Sequence, residues 1–366
     1  MLLIVFGIIF FLNFWFQSLK QKKGKIVIAF FAISIFYILL LGVKETADTY
    51  GYILYFENPE IKTDFLFRYL SNVFRNLGLT FFELYQLHIV LYGLLFTYFI
   101  TRFTNNSFLV LIFYLSILYV PLVNQIRYFL ALGFLLNGFY FFYFTKRKYL
   151  SFILFALAIL SHSAIILFYG FIFLNKYSSK ENYLKRCYIM SGILFMIIFS
   201  LNSLGLRNYL GNYLNYFNSE GVSSLAGGVY NILPYVIFLL LLHRQAINAQ
   251  KKYTFFENDK TFQILYRLSL FSIIFIPISL NIQIFAHRYV HASLIVWLCF
   301  YCYTLRQEKS FKIVLNHTIC ITIAMIGLFY YTYFFSEIAL NQSASYLSEF
   351  IKSFNSVDYL PNIVIN

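Results

Sequence analysis

Apolar runs of membrane-spanning length follow one another along almost the whole chain, and short basic clusters separate them. A spanning helix needs about 20 apolar residues, within a range of about 17–25. The sequence offers twelve candidate spans, several of them short: 2–17, 26–43, 81–101, 107–121, 128–144, 149–160, 163–175, 187–204, 229–243, 263–280, 289–305 and 313–335. Of the 366 residues, 61% are hydrophobic and 11% are charged. Soluble domains carry about 25% charged residues. The mean hydropathy of +0.72 points the same way. A cytosolic enzyme, a secreted disulfide scaffold and a disordered chain are all excluded. The expectation is an all-α polytopic bundle of about 12 transmembrane helices, with residues 1–366 forming one transmembrane domain. The runs on either side of Ser161 and His162 are short, and read as a broken or re-entrant pair. The N-terminal run lacks the flanks of a cleaved signal and reads as a retained helix.

The basic residues set an orientation. Twenty of the 28 fall in alternate loops, after the first, third, fifth, seventh, ninth and eleventh runs. The opposite loops hold Lys44, Lys62, Arg68, Arg75, Arg127, Arg207, Arg288 and Lys352. By the positive-inside rule the lysine-rich loops are cytoplasmic and both termini face outward. The net charge of +14 is therefore a topology signal, and no nucleic-acid partner is expected. Three outward segments are long: 44–80, 205–228 and 336–366. Functional work is expected on that face.

Cysteine chemistry contributes little. Cys187, Cys299, Cys302 and Cys320 all fall in apolar runs, and the CxxC at 299–302 lies inside a predicted helix. It reads as small apolar side chains in a bundle. His287 and His291 have metal-ligand spacing but no evident third ligand, so neither a metal nor a cofactor is expected.

Arginine dominates the outward basic residues, and its planar fork suits phosphate and carboxylate. Residues 64–75 can form an amphipathic helix with Arg68, Asn72 and Arg75 on one stripe. Leu66, Tyr69, Leu70, Val73 and Phe74 lie on the other side. Such a helix can lie in the membrane interface, either as an anchor or with its arginines at headgroup depth. Arg127 stands at the start of the fifth run. Arg288 opens the eleventh, flanked by His287 and followed by His291. Snorkelling accounts for a single such arginine; several on one face, with few acids nearby, favour an anionic ligand. Glu45, Asp48 and Tyr52 share one face if their segment is helical. A carboxylate there can serve as general base or pair with a neighbouring cation. His162 can cap a helix, contact substrate hydroxyls or act as a base.

Three short motifs follow one another: Lys44-Glu-Thr-Ala-Asp-Thr-Tyr50, Gln125-Ile-Arg-Tyr-Phe-Leu-Ala131 and Ser161-His-Ser-Ala164. In these residues and their order the chain resembles the EpsG/Wzy group of bacterial polysaccharide polymerases. The resemblance covers roughly residues 1–175 by motif and the rest by topology. Ala47 stands where the family usually has a glycine. The resemblance implies a GT-C-like membrane glycosyltransferase. It would join undecaprenyl-pyrophosphate-linked oligosaccharide repeat units on the outer face of the bacterial cytoplasmic membrane. It also implies membrane lipids as surroundings, and a chain-length regulator protein is a compatible partner.

On that reading Arg127 and Arg288 bind the pyrophosphate, assisted by Arg68 or Arg75. Asp48 or His162 activates the acceptor hydroxyl. Glu45, Tyr52, His287 and His291 complete the glycan contacts. Without a metal, the arginines stabilise the leaving group. Three rivals remain: an O-antigen ligase with the same donor, a lipid-linked oligosaccharide flippase, and a membrane acyltransferase.

Overall fold

The computed structural model describes residues 40–58, 60–61, 64–104, 106–177, 182–203, 225–306, 308, 310–334 and 346–356. The first predicted run, and most of the second, lie outside them. The protein is an all-α polytopic membrane protein, and no strand occurs among the described residues. Six of their helices are long and apolar enough to cross a membrane: Phe81–Phe103, Ile126–Phe144, Tyr183–Ser200, Ala226–Lys252, Lys260–Ser279 and Lys312–Tyr333. Leu109–Asn124, Lys148–Ser161 and Ser163–Lys176 are apolar but shorter.

Contacts divide the chain into two compact units, residues 1–166 with 349–366, and residues 167–348. In the first unit come α1 (Thr49–Glu57), α2 (Phe65–Asn76), α3 (Phe81–Phe103), α4 (Ser107–Asn124), α5 (Ile126–Phe144) and α6 (Lys148–Ser161). Helix α3 begins at a capping box. Thr80 Oγ1 accepts the Phe82 N–H at 3.2 Å, and Glu83 accepts the Thr80 N–H at 2.8 Å. Helix α4 kinks at Leu118, just before Pro121.

Small and polar residues let α3, α5 and α6 approach closely. A Cβ on Gly138 would lie 2.5 Å from the Phe155 ring. Buried Asn137 donates to the carbonyls of Leu95 and Gly133, both at 2.8 Å. Such pairs hold helices together where lipid removes the usual hydrophobic drive.

Amphipathic α2 forms where the sequence places it, but its buried line runs through Phe67 and Ser71. Tyr69 is exposed, contrary to the expected apolar face. Phe67 takes the inner position because Tyr52 and His88 both pack against its ring, each at 5.7 Å.

A 3-10 turn at Ser163–Tyr169 runs from the first unit into the second and leads into α7 (Gly170–Tyr177). Then follow α8 (Tyr183–Ser203), α9 (Leu225–Lys252), α10 (Lys260–Phe271), α11 (Leu294–Thr304) and α12 (Phe311–Phe334). Asp259 caps α10 by accepting the Thr261 and Phe262 N–H groups, and also accepts the Tyr303 hydroxyl at 2.6 Å. The predicted run 289–305 is not one regular helix. A single π turn at Ala286–Val290 and a 3-10 turn at His291–Ser293 precede α11. The Cys299 and Cys302 side chains are buried in α11. A last helix, α13 (Tyr346–Asn355), packs Phe350 against Tyr119 of α4, ring centroids 5.2 Å apart.

Candidate active site

The first unit brings together one carboxylate, one guanidinium and one imidazole from three distant stretches of chain. Asp64 occupies the N-cap position of α2, where an aspartate normally accepts a hydrogen bond from the first turn. Its side chain makes no such bond. Instead Asp64 Oδ2 accepts from Arg127 Nη1 at 2.9 Å and lies 3.1 Å from His162 Nδ1. Its Oδ1 accepts the Ser163 N–H at 3.4 Å. All three side chains are mostly buried, at 13%, 18% and 14% exposure for Asp64, Arg127 and His162. A helix start thus gives up its side-chain cap to organise two other groups. Departures of that kind mark functional positions.

Local structure fixes each partner. Arg127 is the second residue of α5, and its guanidinium lies over the rings of Tyr52 (5.2 Å), Tyr55 (5.4 Å) and Phe67 (5.4 Å). Such an aromatic cage orients a cation and keeps its attraction strong by excluding water. His162 follows the last residue of α6 in an extended conformation, and its ring meets Tyr128 edge-on at 5.7 Å. When Nδ1–H donates to Asp64, Nε2 carries the lone pair.

The Asp64 carboxyl titrates below the ordinary aspartate value. Burial works against its charge. The His162 hydrogen bond, the charges of His162 and Arg127 and the Ser163 N–H together outweigh that penalty.

Other candidate residues lie elsewhere. Asp48 stands exposed at the start of α1. Glu45 pairs with Lys352 at 2.7 Å on the surface. Arg68 lies 6.0 Å from the Phe65 ring centre. Arg75 Nη1 donates to the Glu57 carbonyl at 3.0 Å and Nη2 to Asn72, which ties α2 to the end of α1. Tyr52 is buried and forms one wall of the Arg127 cage. In the second unit Arg288 sits in the π turn, and buried His291 stacks on Tyr235, centroids 3.9 Å apart. The side chain of His287 lies outside the described residues.

Asp64 is the residue that sequence reasoning left out of the site. Read locally, it is a helix cap. The one available signal was its place among the outward acidic residues, beside the amphipathic stretch that carries Arg68 and Arg75.

A match to the EpsG family covers residues 27–348. The chain belongs to the EpsG family. The matched region takes in Asp64, Arg127, His162 and Arg288. No curated protein and no solved structure matches the chain. EpsG membership supports a polysaccharide-polymerase role of the glycosyltransferase type in general. Among the described residues of this EpsG-family chain, no group of three histidine, cysteine or acidic side chains is placed to hold a metal.

Proposed function

We propose that this EpsG-family protein joins undecaprenyl-pyrophosphate-linked oligosaccharide repeat units by glycosyl transfer on the outer face of the cytoplasmic membrane. The observation that carries the reading is the Asp64–His162 pair beside the caged Arg127. The alternation of basic loops supports an outward position for residues 64, 127, 162 and 288.

In this reaction the acceptor hydroxyl oxygen attacks the anomeric carbon of the donor sugar. The bond from that carbon to the diphosphate oxygen breaks, and its electron pair leaves with the diphosphate. The hydroxyl proton passes to His162 Nε2. Asp64 holds the ring by Nδ1 and balances the imidazolium that forms. This favours His162 over Asp48 as the base. Arg127 meets the charge that develops on the leaving group, a role that asks for no metal.

The test is turnover of purified protein with a lipid-linked repeat unit in the presence of a chelator. A ladder of longer lipid-linked glycans is expected, lost in His162→Gln. Folded protein that gives no ladder but moves the same lipid across the bilayer would overturn the reading in favour of a flippase.

A further inference from the structure

The second unit holds buried hydrogen-bond donors that the glycosyl-transfer scheme does not use. Trp297 of α11 is fully buried, and its indole N–H has no hydrogen-bond partner among the described residues. Asn231 of α9 is 8% exposed, and its amide NH₂ also lacks a partner among them. Tyr235 lies one turn beyond Asn231 on the same face of α9. Its ring stacks on His291 at 3.9 Å and meets Trp297 at 6.3 Å. Arg288 precedes His291 by three residues, within the π turn. Single π turns inserted in helices concentrate at functional positions.

Two orphaned donors in a membrane bundle are costly, because no water is present to take them. Leucine at 231 and phenylalanine at 297 would fill a core without that penalty. Within the described residues of the second unit, the donors are also segregated from acid. Among the described residues of this unit the carboxylates are Glu257, Asp259 and Glu308. Glu257 and Asp259 follow the far end of α9, and Glu308 joins Lys252 there at 2.5 Å. Asn231 lies about 30 Å up that helix, at 1.5 Å per residue. Indole N–H, amide NH₂ and guanidinium all donate, and a guanidinium adds positive charge. Such a set matches a multiply charged oxyanion.

We propose that Asn231, Trp297 and Arg288, braced by Tyr235 and His291, form a binding site for a diphosphate group. The identity of the diphosphate as a polyprenyl donor rests on the polymerase reading; the site itself does not. Asn231 and Trp297 supply neutral donors to the bridging and terminal oxygens, and Arg288 supplies the charge.

The chain has only two tryptophans, so Trp15→Phe leaves Trp297 as the sole indole reporter. That protein, in detergent, is titrated with inorganic diphosphate and separately with polyprenyl diphosphate while indole emission is followed. A saturable emission change with either ligand is expected, at least tenfold weaker in affinity in Arg288→Ala, Asn231→Leu and Asn231→Asp. A change with both ligands assigns the site to the diphosphate group alone. A change with the lipid only adds the prenyl chain to the recognition. Emission that does not move, or that moves equally in Asn231→Leu, overturns the site. Thermal melting of each variant identifies any that is unfolded, and Asn231→Asp keeps the side-chain shape if leucine is not tolerated. The titration needs no turnover, so a failed polymerase assay leaves it standing, and absent binding with intact turnover refutes this site alone.

Discussion

Asp64 caps no helix with its side chain although it stands at a helix start; its carboxylate lies 3.1 Å from the imidazole of His162, 98 residues further along the chain. A carboxylate held against Nδ1 selects one tautomer and makes proton uptake at Nε2 easier. Asp64→Asn keeps the shape but removes the charge. We expect kcat to fall by about 10²-fold or more, with KM for the lipid-linked substrate little changed. Turnover measured against substrate concentration checks this, and an unchanged kcat would remove Asp64 from the mechanism.

Arg127 is held by one ion pair and three aromatic rings. Arg127→Ala leaves the mostly buried Asp64 carboxylate short of a partner, a change that costs about 3 kcal/mol of stability. Arg127→Lys should recover only part of this, because an ammonium cannot lie flat in the cage and donate as a planar fork. Melting temperatures of the three proteins should fall in the order wild type, lysine, alanine. Equal values for lysine and wild type would mean the cage does not discriminate.

Two carboxyls should give opposite pH dependences. The folded Asp64 value lies below its ordinary 3.8, so the folded state binds fewer protons there than the unfolded one. Its stabilising contribution is full above about pH 4 and is lost as pH falls through the folded value. Glu349 of α13 is the reverse. Burial raises its value and the Asp48 charge raises it further, against the Asn124 hydrogen bond at 3.2 Å. Its ionisation disfavours the fold above the ordinary 4.5, and that penalty is relieved as pH falls through the raised value. Melting curves between pH 3 and 7 should show the Asp64→Asn deficit shrinking on acidification. Glu349→Gln should be more stable than wild type at pH 7 and should lose that advantage in acid.

Glycine positions provide a test of packing. A Cβ on Gly228 of α9 would fall 1.7 Å from the Leu280 carbonyl oxygen, and backbone cannot swing aside as a side chain can. Gly228→Ala should cost about 3 kcal/mol or prevent folding. A Cβ on Gly192 of α8 would meet nothing within 4 Å among the described residues. Gly192→Ala should be neutral or stabilising by up to about 1 kcal/mol through helix propensity. Thermal melts of the two variants, side by side, give the comparison.

Much of the fold was written in local pattern. Apolar runs fixed where the long helices α3, α5, α9 and α12 lie, because a spanning helix must be apolar over its whole length. The two runs around His162 were visible as short, and a 3-10 segment at Ser163–Tyr169 follows the histidine. Amphipathic spacing located α2 but mistook its buried line, since which side of a helix is inside depends on its neighbours. The π turn at Ala286–Val290 straddles the start of the run 289–305; His287 and Arg288 mark a span edge there, but the extra residue in the turn shows only in backbone hydrogen bonding.

Hydropathy and short motifs act over neighbouring residues, and they were enough to specify an all-helical membrane chain of the EpsG family, with Arg127 and His162 inside its motifs. Which carboxylate meets those two residues was set by packing. Asp48 and Asp64 both precede a helix and are equivalent in local chemistry. The packing of α2 through Phe67 carries Asp64, and not Asp48, to Arg127 and His162, 63 and 98 residues away. Contacts at that separation depend on how helices are arranged in three dimensions, which no local periodicity encodes.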